Sequence, residues 1–133
     1  MNSFPGKITG ITTEQNLSLV KIEVQGVEFK SIVVEKPQSA SYLKIGQPVN
    51  ILFKETEVII GDASTKYISL QNRILCQILK VNKGKLLSEL LLSFGNLRMR
   101  AVITSNAVTQ LNLDEGVEVM ALIKTNEIML SPV

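Results

Sequence analysis

The chain has 133 residues, with 14 Lys and Arg against 12 Asp and Glu, no His, no Trp and one Cys. That length suits one ordinary domain or two very small ones, and an apolar fraction of 45% argues against disorder. Without His, triads built on imidazole, His-ligated zinc and imidazole acid–base chemistry are excluded, and a net charge of +2 spread thinly along the chain leaves no footprint for capture of a nucleic acid backbone.

Met1–Gly6 has no charged segment followed by an apolar stretch, and no run approaches the roughly 18 apolar residues of a membrane span. A soluble, cytoplasmic protein is expected. Val20, Ile22 and Val24 alternate with Lys21 and Glu23, and Gln25-Gly26 turns into Val27 and Phe29, which predicts a hairpin with one wet face. Lys36 to Tyr42 predicts a short helix, with Pro37 at its first position. Val49, Ile51 and Phe53 predict a strand that resumes at Val58-Ile59-Ile60, after the polar knot Lys54-Glu55-Thr56-Glu57. The polar stretch from Ile60 to Tyr67 then reads as a short connector.

Cys76, among Ile74 and Leu75, reads as a small core residue, since a single cysteine has no intrachain disulfide partner. Leu86 to Leu92 is dense in leucine and predicts a strand buried on both faces. Arg98 and Arg100 alternate with Leu97 and Met99 as on a wet strand face, and with few aromatic residues for stacking they do not predict nucleic-acid binding. Ser105 to Leu111 predicts a second short helix, capped by Thr104 or Ser105. Lys83-Gly84-Lys85 lacks the remaining glycine and the following helix of a phosphate loop.

Laid over itself at a shift of 70 residues, the chain repeats. Asn2 falls on Asn72, Ile8 on Ile78, Leu17-Ser18 on Leu87-Ser88, Leu43 on Leu113 and Gly46 on Gly116. Val49, Leu52, Lys54 and Glu57 fall on Val119, Leu122, Lys124 and Glu127 without a gap. The expectation is an all-β chain of two tandem OB-fold-like five-stranded barrels, each with one short helix, over residues 1–66 and 67–133.

The run from Val102 to Val108, then Leu111-Asn112-Leu113-Asp114-Glu115-Gly116, then Val119 to Lys124 and Glu127 to Leu130, resembles the molbindins. Their Mop domains belong to the wider transport-associated OB group. Ser69-Leu70-Gln71-Asn72 resembles the family's Ser-Ala-Arg-Asn opening, and Lys83-Gly84 its strand-joining turn. With the tandem arrangement, the whole chain is similar to a di-Mop molbindin.

That resemblance implies a cytoplasmic protein that binds or stores molybdate or tungstate at subunit interfaces of a homotrimer, serving molybdenum homeostasis. It implies no catalysis, no catalytic cofactor, no protein-ligated metal, no nucleic acid and no membrane. An alternative is an effector-sensing partner or fragment of a molybdate-responsive transcription regulator. Carried over position by position, the implied oxyanion ligands are Ser69, Gln71 and Asn72, then Thr104, Ser105 and Asn106, then Lys124, Thr125 and Asn126. In the first copy they are Asn2, Lys54 and Thr56. Gln71 stands where the family has Arg, and Asn126 where it has Ser.

These residue types suit a tetrahedral dianion. Hydroxyls and amides donate hydrogen bonds, a lysine supplies a point charge, and a helix start offers free N–H groups. The first copy has Val34-Glu35-Lys36 where the second has Thr104-Ser105-Asn106. Weaker binding by the first copy is therefore expected.

Overall fold

The computed structural model describes residues 1–133. The strands are β1 (Asn2–Glu14), β2 (Leu17–Val24), β3 (Val27–Val33), β4 (Pro48–Phe53), β5 (Ile59–Asp62), β6 (Asn72–Lys83), β7 (Leu87–Phe94), β8 (Leu97–Thr104), β9 (Glu118–Ile123) and β10 (Met129–Pro132). One α-helix, α1, runs from Ser105 to Gln110, and single 3-10 turns at Glu55–Glu57 and Thr125–Glu127 follow β4 and β9. No helix is long and apolar enough to cross a membrane.

The strands form two five-stranded antiparallel sheets, ordered β10-β4-β1-β2-β3 and β5-β9-β6-β7-β8. The short strand ending each repeat therefore completes the sheet of the other. Met129 to Pro132 pair with Leu52 to Val49, while Ile59 to Asp62 pair with Leu122 to Val119. Each sheet thus draws one strand from the other sequence repeat.

The 70-residue shift holds in register. Asn2 pairs with Phe53 and Asn72 with Ile123, and both long first strands slip register just after Ile8 or Ile78. At that slip the loop before the fourth strand of each repeat docks: Gly46 N–H donates to Ile8 C=O and Gly116 N–H to Ile78 C=O, both at 2.8 Å. These two glycines have φ of +87° and +85°, a left-handed conformation that a Cβ disfavours. Gln25 and Gly26 also have positive φ, as a tight type I′ hairpin turn requires.

Period-2 alternation places one side of each strand inward. Val20, Ile22, Val24, Val49, Ile51 and Phe53 are buried from the first repeat, and Ile74, Cys76, Ile78, Leu90, Leu92 and Val119 from the second. All join one cluster that spans both repeats. At its centre the Phe94 ring stands edge-on to Phe4, with centroids 5.3 Å apart, and Phe4 meets Phe53 at 5.7 Å. Such pairs add about 0.5–1.5 kcal/mol beyond burial.

Two expectations need correction. The first repeat has no α-helix at residues 36–42, only turns. Lys36 C=O accepts from the main-chain N–H groups of Ser39 and Ala40 and from the Ser39 hydroxyl, but the bonds that follow, Leu43 N–H to Ala40 C=O and Lys44 N–H to Tyr42 C=O, do not continue a helical ladder, so the segment makes only a single turn. Leu86 to Leu92 is not buried on both faces: Ser88, Leu90 and Leu92 point inward, while Leu86 and Leu87 are 77% and 58% exposed. That stretch alternates as the first repeat does.

Candidate functional site

The expected ligand residues fall into three places. At the first, Asn72 reaches from β6 to the edge strand β3 of the other sheet. Its Oδ1 accepts from Lys30 N–H at 2.7 Å and its Nδ2 donates to Lys30 C=O at 2.9 Å. Beside it, Lys30 Nζ donates to Gln71 Oε1 at 3.5 Å and pairs with Glu28 at 3.8 Å. Ile123 is the register partner of Asn72, so the turn Lys124-Thr125-Asn126 starts at this spot and packs against β3. Lys124 and Asn126 are exposed, Thr125 half-buried and Ser69 exposed.

The second place is its counterpart across the repeat. Asn2 Oδ1 accepts from Arg100 N–H at 2.8 Å, and Asn2 Nδ2 donates to Arg100 C=O at 2.9 Å. The turn holding Lys54, Glu55 and Thr56 packs against β8. Glu55 and Arg100 share a cleft there, and Arg100 Nη1 also pairs with Glu89 Oε1 at 2.7 Å. The carboxyl of Glu55 is held below its usual range, first by a hydrogen bond from the Met1 amino group, then by its own backbone, with a smaller contribution from Arg100.

Both Asn side chains are buried, and each spends its carbonyl and one N–H on a neighbouring main chain. In effect each amide mimics one residue of an added strand, and so fastens the two sheets together.

The third place is the start of α1. Thr104 Oγ1 accepts from Ala107 N–H at 3.1 Å and caps the helix, as the sequence predicts. Ser105 is buried and its hydroxyl donates to Gly84 C=O at 2.7 Å, so the Ser88 hydroxyl, also 2.7 Å away, donates to it. The single proton of Ser105 is thereby committed inward. Thr104 and Asn106 remain exposed.

Within one chain, then, Asn72, Gln71 and the Lys124 turn come together, as do Asn2 and the Lys54 turn, whereas the helix start lies with the Gly84 and Leu86 end of β7. Sequence reasoning left out Lys30, Arg100 and Glu55. Lys30 and Arg100 also align at the 70-residue shift, and each is the cation whose main chain an Asn holds.

The TOBE domain family model matches residues 1–60 and again residues 68–130. The chain belongs to the TOBE domain family. Its two TOBE segments correspond to the two sequence repeats that exchange their last strands. The molybdenum-pterin-binding protein MopB of Rhodobacter capsulatus is 24% identical over 133 residues, covering 98% of this TOBE chain and 49% of MopB. The chain thus spans about half the length of that curated relative. A crystal structure of the cytoplasmic molybdate-binding protein ModG, with molybdate bound, superposes with a TM-score of 0.91 at 22% identity. It covers 99% of this chain and 96% of that one, so the tandem TOBE fold is shared from end to end.

Proposed function

We infer that this TOBE protein binds molybdate or tungstate reversibly in the cytoplasm and does no chemistry on it, contributing to molybdenum homeostasis. One observation carries the reading: the chain matches, over 99% of its length, a cytoplasmic protein whose structure holds molybdate. The residue types at the three places support it, because neutral donors with isolated cations suit a hydrogen-bonded dianion.

The proposed binding groups are Ser69, Gln71, Lys124, Thr125 and Asn126 on one surface, and Thr104 and Asn106 on another, where Ser105 spends its own donors on Gly84 and Leu86 and so holds the helix start in place. Lys54 and Thr56 are their first-repeat counterparts. Asn72 and Asn2 act by holding Lys30 and Arg100 in place. A dianion gathered between subunits would join surfaces that one chain keeps apart, and a homotrimer is the proposed assembly. Leu86 and Leu87, left exposed at the end of β7, support such a contact.

Residues 1–66 and 67–133 are the proposed TOBE units, each an OB-like barrel completed by the other's last strand. The outer strands of each sheet, β3 with β10 and β8 with β5, approach one another, which supports that curl. Equilibrium dialysis against molybdate, with molybdenum counted by elemental analysis, tests the function. Retention of molybdenum against excess sulfate is expected, and metal-free protein at saturating molybdate would refute the reading. Light scattering of a 14.6 kDa monomer at micromolar concentration would remove the trimer.

A further inference from the structure

The turn Lys83-Gly84-Lys85 between β6 and β7 carries charge that the oxyanion reading leaves unused. Lys80, Lys83 and Lys85 are the charged residues from Leu79 to Ser88, and no carboxylate stands among them. All three are exposed. Around them the surface is apolar: Leu86 and Leu87 are open to solvent, and Val81, Leu87 and Val102 line a shallow recess of about 490 Å³ beside the turn. Leu87 is the register partner of Thr104 and Glu89 that of Val102, on the side of the sheet away from the core. Glu89 also lines the recess, and Arg100 already neutralises it.

The 70-residue shift carries this patch onto the turn between β1 and β2. Leu17 matches Leu87, Ile11 matches Val81 and Ile32 matches Val102. Leu17 and Val34 are 47% and 78% exposed there, and Ile11, Leu19 and Ile32 are half-buried. The charge has the opposite sign. Glu14 is the one charged residue from Ile8 to Val20, and the Ser18 hydroxyl, donating to Glu35 C=O at 2.6 Å, holds Glu35 beside the same turn. The Glu35 carboxylate accepts from the Tyr42 hydroxyl, a neutral donor that leaves its charge in place. Glu14 and Glu35 against Lys36 leave one negative charge, where Lys80, Lys83 and Lys85 leave three positive ones.

We propose that copies of this chain dock head to tail, the acidic β1–β2 turn of one against the basic β6–β7 turn of the next, with the two apolar patches closing between them. This rests on the self-assembly proposed above and adds to it the surfaces and their polarity. Copies meeting through like turns would set lysines against lysines or glutamates against glutamates, whereas unlike turns bring opposite charges together around apolar surface. Glu14, Glu35, Lys83 and Lys85 belong to none of the chain's ion pairs, which are Met1–Glu55, Lys30–Glu28 and Arg100–Glu89. A contact between two different surfaces leaves one turn free at each end of a row of copies. Closing the row into a ring leaves none.

Sedimentation velocity of the full chain over a concentration series tests the contact in five forms: wild type, Glu14→Lys with Glu35→Lys, Lys83→Glu with Lys85→Glu, all four changes together, and Leu86→Ser with Leu87→Ser. In each charge-reversed pair both turns of every copy carry the same sign, which is expected to raise the concentration of half-assembly about tenfold or more. All four changes together exchange the signs of the two turns and should restore half-assembly to within about threefold of wild type. The serine pair should weaken assembly as the reversed pairs do, and circular dichroism shows that each variant is folded. If wild type assembles but any of the three weakened forms assembles equally well, or the fourfold variant shows no recovery, the head-to-tail contact is wrong. If wild type is a monomer throughout, the assembly reading itself fails.

Discussion

Asn2 holds both the N–H and the C=O of Arg100, 98 residues away in the chain, and Asn72 holds Lys30 in the same way. Asn2→Ala or Asn72→Ala removes a buried amide and strands two main-chain groups. Each is expected to destabilise the fold by about 1–3 kcal/mol in urea titration. Asp in place of Asn should be no better, since a carboxylate accepts from the N–H but leaves the C=O without a donor.

Lys124→Ala should weaken molybdate binding by about 1.5–3 kcal/mol, the range for a hydrogen bond to a charged group, and leave the urea midpoint unchanged. Lys124 is exposed, so its removal leaves no cavity. Equal affinity for the variant would mark it as an ordinary solvated lysine.

Thr104→Val deletes the oxygen that caps Ala107 N–H. A stability loss of about 1 kcal/mol is expected, together with weaker molybdate binding, and Thr104→Ser should restore both. A variant that loses stability but binds as wild type would confine Thr104 to capping.

Burial pushes the Cys76 thiol up to about 12. It should resist alkylation at pH 8 in the folded protein and react promptly in urea. Because the unfolded thiol ionises near its ordinary value of about 9, stability from this group is full below about pH 9 and is lost progressively as pH rises towards 12. Urea midpoints at pH 8 and pH 10.5 should fall in that order.

Leu130→Ala lies in the second repeat by sequence, yet Leu130 faces Ile51 in the first sheet. Amide exchange should accelerate along β4 and leave β7 and β8 protected. Acceleration in the second sheet alone would contradict the exchanged pairing.

Individual strands were legible because one-sided burial writes period 2 into the chain, as Val20, Ile22 and Val24 show. The Gln25-Gly26 turn and the Thr104 cap were legible because their chemistry is local. Partner choice was not. Ile59–Asp62 and Met129–Pro132 are four-residue strands, and nothing in so short an apolar run says which sheet edge it will meet. The expected helix at Lys36 stops after one turn: Lys36 C=O accepts from Ala40 N–H, but the next bonds run from Leu43 N–H to Ala40 C=O and from Lys44 N–H to Tyr42 C=O, so no helical ladder follows. The cleft around Arg98 and Arg100 was invisible for a related reason: its walls come from β1, the Glu55 turn and β8, which only the docked sheets bring together.

The pairing of Met129–Pro132 with β4 also sets an order of events at the ribosome. When β4 has left the exit tunnel, the strand that covers its free edge has yet to be translated. Until then the nascent first sheet presents an uncapped row of N–H and C=O groups, the kind of edge that templates pairing with other chains. The polar Asn50 and the Pro48 at the start of β4 blunt that edge during the wait. The native first sheet is therefore completed only once Met129–Pro132 have emerged, and the two repeats are expected to gain protease resistance together rather than one after the other.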